Sequence, residues 1–131
     1  MKLTEQQLET ITVRLQKNPA LCAAFLHGSA AKERLRSDSD VDVALLPLAN
    51  QTINVQQRID MATDLESLIN RPVDLGILSA SNLIYAKEVI EHGRLLFTTN
   101  PFRSEQFLSN CLSMYADLQQ ERKEVLYAYS A

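Results

Sequence analysis

Residues 28–42 read Gly28-Ser29-Ala30-Ala31-Lys32-Glu33-Arg34-Leu35-Arg36-Ser37-Asp38-Ser39-Asp40-Val41-Asp42, a Gly-Ser pair separated by ten residues from an Asp-Val-Asp triplet. Downstream, Val41 to Leu46 is β-branched and apolar and is stopped by Pro47, which reads as a strand. Side chains alternate along a strand, so Val41, Val43 and Leu45 share one side while Asp40 and Asp42 share the other. Upstream, Cys22 to His27 reads as a short buried strand closed by Gly28-Ser29. Ala30, Ala31 and Leu35 then predict a brief helix, with Arg36 to Asp40 as a polar loop. A strand thus runs straight into a helix start, and the next strand carries two carboxylates on one face.

The same alternation recurs further along. Val73 to Leu78 predicts a third strand, with Val73, Leu75 and Ile77 on one face and Asp74 on the other. Between the two strands Asn50 to Thr52 can open a helix, in which Val55, Ile59, Ala62, Leu65 and Ile69 recur at helical spacing until Arg71-Pro72. If the strands are neighbours and bury their valine faces against the same helices, Asp40, Asp42 and Asp74 converge on the uncovered face.

At the N-terminal side, Thr4 with Gln7 forms a capping box, Leu3 and Leu8 staple the same helix start, and Asn18-Pro19 ends that helix. Beyond the third strand, Ser79 or Ser81 can cap a helix bearing Leu83, Ala86 and Ile90, with Gly93 at the position expected of a left-handed C-cap. Leu95 to Phe97 adds a short last strand. Asn100-Pro101 starts a helical tail whose apolar stripe runs through Leu108, Cys111, Leu112, Tyr115, Leu118, Val125, Leu126 and Tyr129, as one long helix or two broken ones. The expected fold class is α+β: a small mixed sheet packed with helices, over residues 1–98, plus a C-terminal helical extension over residues 99–131.

Composition narrows the function. The chain has 131 residues, 46% apolar and 22% charged, enough for one domain that needs no metal or disulfide staple. Its three glycines, Gly28, Gly76 and Gly93, lie far apart, so neither a dinucleotide-binding G-x-G-x-x-G loop nor a Walker A loop can be written. A net charge of −3 argues against direct binding to nucleic acid. No apolar run spans a membrane and no export signal is legible, so a cytoplasmic protein is expected. Cys22 and Cys111 read as small buried residues rather than a disulfide. His27 and His92 read as structural or surface residues.

Three carboxylates gathered together repel one another and persist when a cation relieves the repulsion. An oxygen-only set suggests Mg2+, which takes one or two carboxylates and completes its shell with phosphate oxygens and water. Two such ions can clamp the attacking and leaving oxygens of a phosphoryl displacement; Asp40 and Asp42 could bridge both, with Asp74 on one. A helix start at Ser29 offers unpaired N–H groups to an anion, and Gly28 allows the backbone to approach it. Lys32, Arg34 and Arg36 lie between the two halves of the motif and could offset phosphate charge. A calcium-loop reading of residues 38–42 fails, because Val43 and Ala49 stand where an EF-hand needs Gly and Glu.

Gly28-Ser29, ten residues, Asp40-Val41-Asp42 and then Asp74 on a later strand resembles the DNA polymerase β-type nucleotidyltransferases. Within that superfamily, the short length and the Ser37-Asp38-Ser39-Asp40-Val41-Asp42 stretch are similar to the minimal nucleotidyltransferases (MNT) that serve as antitoxins. The resemblance covers about residues 3–97. One departure is Ala31-Lys32-Glu33, where many relatives carry Ala-Arg-Gly; Lys32 keeps the charge but not a bidentate grip on phosphate. The resemblance implies transfer of AMP from ATP to an acceptor hydroxyl with loss of pyrophosphate. By the same resemblance Asp40 and Asp42 bind two Mg2+ ions, and Asp74 binds the catalytic one and shares in deprotonating the acceptor. Gly28 and Ser29 hold the β- and γ-phosphates, and Ser39 is a further phosphate candidate. The implied partner is a HEPN-domain ribonuclease toxin, bound as a hetero-oligomer and inactivated by AMP on a tyrosine. Two alternatives stand beside it: a small-molecule acceptor, and an antitoxin that neutralises by contact alone.

Overall fold

The computed structural model describes residues 3–32, 36 and 39–130. Helix α1 spans Glu5–Gln16 and starts from the capping box read in the sequence: the Gln7 N–H donates to Thr4 Oγ1 at 3.0 Å and the Thr4 N–H to Gln7 Oε1 at 2.9 Å. Strand β1, Leu21–His27, passes directly into a single helical turn, α2, Gly28–Ala31. Strand β2, Val41–Pro47, is followed by α3, Val55–Ile69, and β3, Val73–Ile77. Helix α4, Leu83–His92, strand β4, Arg94–Thr98, and helix α5, Pro101–Ser130, complete the chain.

Several boundaries differ from expectation for local reasons. Helix α3 is capped by Asn54, not by residues 50–52, because Asn54 and Gln57 form a second capping box. Helix α4 is capped by Asn82, while the Ser79 and Ser81 hydroxyls hydrogen-bond each other at 2.9 Å. Gly93 is extended, with φ −81, rather than left-handed; a Cβ there would overlap the Val89 carbonyl oxygen, so close approach explains the glycine. The left-handed cap belongs to Asn70, with φ 59, at the end of α3. The tail is one unbroken helix. Leu35, expected to extend the brief helix after Gly28, lies outside the described residues.

The four strands are ordered β3-β2-β1-β4. β1 runs antiparallel to both β2 and β4, whereas β2 and β3 are parallel and joined through α3, giving the expected mixed sheet. Two cores sandwich it. On one face Val41, Val43, Leu45, Val73 and Leu75 pack with Ile11 and Leu15 of α1 and Leu65 and Ile69 of α3. On the other, Cys22, Phe25, Ala44 and Leu46 pack with Ala86 and Val89 of α4 and Cys111 of α5. Both cysteines are free and buried, as the sequence predicts.

This second core corrects one expectation. The aspartate face is not uncovered: α4 and the first turns of α5 occupy most of it. The stripe of α5 is also only partly used, since Cys111 is buried while Leu126 and Tyr129 are 68% and 88% exposed. No helix among the described residues is long and apolar enough to cross a membrane.

Candidate active site

The face packed by α4 reaches only part way along the strands, and the acidic residues stand at the end it leaves open. Parallel pairing sets Asp42 of β2 beside Asp74 of β3, and antiparallel pairing sets His27 of β1 opposite Asp42. Alternation fixes their side: Val41, Val43, Val73 and Leu75 all point into the α1–α3 core, so the residues between them point the other way. Asp42 is half-buried, while Asp74 and Asp40, the latter on the loop just ahead of β2, are exposed.

The electrostatics follow from that crowding. Burial pushes the Asp42 carboxyl above its ordinary value, and Asp74 and Asp40 add to the rise, against the pull of His27. Burial lowers the His27 imidazole below its ordinary value, with Asp42 and Asp74 opposing it. The structure therefore brings Asp42 and Asp74 together by register and keeps Asp40 within electrostatic reach. It does not build the tight three-carboxylate cluster expected from the sequence: among the described residues no three His, Cys, Asp or Glu side chains form a group that could hold a metal ion. Gathering three like charges without compensation is unfavourable, and Mg2+ needs only one or two carboxylates when phosphate completes its shell.

Gly28 stands directly over Asp42. Its φ is +65, and a Cβ built there would overlap Asp42 Oδ2 and lie 3.3 Å from Asp42 Cγ. A glycine is required both by the backbone conformation and by the carboxylate beneath it. Asp42, with the exposed Asp40 and Asp74, offers oxygen ligands of the kind a hard divalent cation takes, and the bare backbone at Gly28 lets an anion come close beside them. Because α2 has only four residues, individual N–H groups rather than a helix dipole would do the binding.

The remaining candidates sit around the rim. Lys32 caps the end of α2 and is exposed, as is Arg36. Ser39 is tied into a turn: the Arg36 N–H donates to Ser39 Oγ at 3.0 Å and the Ser39 N–H donates to the Arg36 carbonyl at 3.1 Å. Arg71, which the sequence offers only as the end of a helix, donates from Nη2 to the Arg36 carbonyl, anchoring the loop that delivers Asp40. Arg34 lies outside the described residues.

Two further residues were not legible as part of the site. His27, expected to be structural or at the surface, faces Asp42, and its Nε2 lies 3.1 Å from the hydroxyl of Tyr85 on α4. The rings meet edge to face at 80°. Tyr85 lies against Gly76, where a Cβ would overlap the phenol and come within 2.7 Å of its Cζ. A glycine inside a strand marks close approach by another group, so Gly76 carried the signal.

Two stability measurements test this geometry. Gly28→Ala forces a Cβ into both an unfavourable φ and the Asp42 carboxylate, and urea unfolding should show a loss of about 1–3 kcal/mol; an unchanged midpoint contradicts the packing. Asp42→Asn removes a carboxylate whose folded-state pKa is raised, so the ionised wild-type residue destabilises the fold at neutral pH and the variant should melt at a higher temperature there. The advantage shrinks as pH falls through the raised Asp42 pKa, because the wild-type carboxyl then becomes neutral too. A variant less stable at neutral pH contradicts the account.

Comparison with known proteins agrees with this fold. Residues 9–102 match the family described as polymerase beta, nucleotidyltransferase. A protein adenylyltransferase, MntA, from Shewanella oneidensis is 31% identical over 108 residues, spanning 82% of this chain and 76% of the relative. Among solved structures, a toxin–antitoxin with AMP-PNP superposes with a TM-score of 0.77 at 27% identity, covering 98% of this chain and 100% of the other. A tri-AMPylated Shewanella oneidensis HEPN toxin in complex with MNT antitoxin gives a TM-score of 0.76 at 25% identity, covering 98% and 100%. The chain belongs to the polymerase β-type nucleotidyltransferase family.

Proposed function

We propose that this protein is an antitoxin that transfers AMP from ATP to a tyrosine hydroxyl of a HEPN-domain toxin, bound to it as a hetero-oligomer in the cytoplasm. The observation that carries the reading is the in-register pair Asp42–Asp74, with the Asp42 carboxylate against the Gly28 backbone. The similarity to a protein adenylyltransferase and to toxin–antitoxin complexes supports the same substrate and partner.

Gly28 and Ser29 hold the β- and γ-phosphates through backbone N–H groups, leaving the α-phosphate toward the carboxylates. Lys32 and Arg36 offset phosphate charge from the rim, and Ser39 fixes the loop through Arg36. Asp40 and Asp42 would hold two Mg2+ ions, and Asp74 one of them, once nucleotide phosphates complete the coordination. When bound, Mg2+ supplies positive charge that neutralises the phosphates and favours the ionised acceptor hydroxyl. The tyrosine oxygen forms a bond to the α-phosphorus while the bond from that phosphorus to the bridging oxygen breaks. Pyrophosphate departs with the electron pair, and Asp74, which is exposed, accepts the phenolic proton. Residues 1–98 supply this machinery; residues 99–131 extend the same domain.

Incubation with the cognate HEPN protein, ATP and Mg2+, followed by intact-mass measurement, should show the toxin heavier by one or more AMP groups. The double variant Asp40→Ala, Asp42→Ala should leave its mass unchanged and its ribonuclease active. A toxin of unchanged mass with the wild-type protein refutes the transfer. Full neutralisation by the double variant points instead to inhibition by contact.

A further inference from the structure

Helix α3 ends at Asn70, whose left-handed backbone, with φ 59, turns the chain back toward the sheet. The residue before a proline is held extended, so Arg71 and Pro72 run straight into β3, alongside the loop that leads into β2. Glu66 ties this stretch to the helix, its Oε1 accepting the Val73 N–H at 3.0 Å. Arg71 and Pro72 in turn hold both peptide units that flank Asp40. The Pro72 carbonyl accepts the Val41 N–H at 2.8 Å, which fixes the peptide between Asp40 and Val41. Arg71 Nη2 donates at 3.5 Å to the Ser39 carbonyl, which belongs to the peptide between Ser39 and Asp40. The same Nη2 donates to the Arg36 carbonyl. That carbonyl also accepts the Ser39 N–H at 3.1 Å, and Ser39 Oγ accepts the Arg36 N–H at 3.0 Å. The turn from Arg36 to Ser39 is therefore closed on itself and gripped as one unit. Because peptide units are planar, holding the two that flank a residue sets the direction in which its side chain leaves the backbone. Arg71 Nε is buried without a hydrogen-bond partner among the described residues. Leaving a buried donor unpaired is unfavourable, so the guanidinium's gain lies in the carbonyls that Nη2 reaches.

We propose that Arg71 is a positioning residue: by gripping the turn at Arg36 and Ser39 it directs the Asp40 carboxylate and so strengthens binding of the divalent cation that accompanies the nucleotide. The role rests on the nucleotidyltransferase reading, in which Asp40 is a cation ligand. Asp42 and Asp74 are placed by strand register. Asp40 lies ahead of β2, outside that register, and is exposed, so side-chain packing does not orient it. The hold of Arg71 and Pro72 on its two peptide units takes the place of a strand.

Arg71→Met keeps the apolar stem and removes every donor. AMP-PNP affinity is measured calorimetrically with Mg2+ and with EDTA, at a temperature where each variant is folded. In Arg71→Met the Mg2+ enhancement should fall about five-fold, the scale of one hydrogen bond, while the affinity in EDTA stays at the wild-type value. Arg71→Lys, which keeps a donor for the Arg36 carbonyl, should recover most of the enhancement. In an Asp40→Asn background Arg71→Met should cause no further loss, as expected of two groups acting as one unit. Without any ligand, amide exchange followed by NMR should quicken at Ser39 and Val41 in Arg71→Met, while Leu45, in the middle of β2, keeps its wild-type rate. Should Arg71→Met fail to fold, Arg71→Gln, polar but two atoms shorter, takes its place in every comparison. Full enhancement in Arg71→Met, equal losses with and without Mg2+, no recovery in Arg71→Lys, additive losses in the Asp40→Asn background, or unchanged exchange at both amides overturn the proposal while leaving the nucleotidyltransferase reading intact. A wild-type protein with no Mg2+ enhancement overturns both.

Discussion

Everything at the acidic end of this protein depends on the parallel pairing of β2 with β3. The valine and leucine side chains of both strands must face α1 and α3, where Val41, Val43, Leu45, Val73 and Leu75 enter one core. That burial contributes about 1.5–3 kcal/mol per large side chain. Alternation then leaves Asp42 and Asp74 no choice of side, and the register leaves them no choice of neighbour. Two carboxylates that would separate in solution are held together by apolar contacts on the opposite surface. A one-residue slip of either strand would bury its aspartate and expose its valines, so the stability of the core guards the geometry of the site.

The second core sets the limits of that site. On the face shared with the aspartates, Phe25, Ala44 and Leu46 bind α4 and the root of α5, and the apolar packing stops where Tyr85 meets His27. Beyond that line the same sheet face carries charge. The protein thus divides one surface between structure and chemistry, with an edge-to-face aromatic contact as the partition. The raised Asp42 pKa and the lowered His27 pKa both arise from burial at this partition.

Much of this was legible before any coordinates, because it rests on period-two alternation and on a spaced motif. The strands carrying Asp42 and Asp74, the turn at Gly28, the capping box at Thr4 and the mixed sheet follow from local pattern. The errors have a common cause, which is that tertiary context decides them. Whether the aspartate face is covered depends on where α4 and α5 pack, and an amphipathic pattern does not say against which face a helix will lie. Asn54 and Asn82 outcompeted the nearby polar residues as caps because each also had a suitably placed backbone N–H three residues on. His27 and Tyr85 are separated by 58 residues and meet only in the folded sheet. Gly76 hinted at that meeting, since a strand glycine flanked by Leu75 and Ile77 signals that something lies against it. Sequence shows that the carboxylates share a face but not how closely their side chains gather about one point.

The most direct measurement is a crystal structure of the protein grown with AMP-PNP and Mn2+, with anomalous scattering recorded from the manganese. Manganese peaks should be ligated by Asp42 with Asp40 and Asp74, and the β- and γ-phosphates should lie on the backbone N–H groups at Gly28 and Ser29. Manganese bound elsewhere, or a triphosphate that does not touch Gly28, would contradict it.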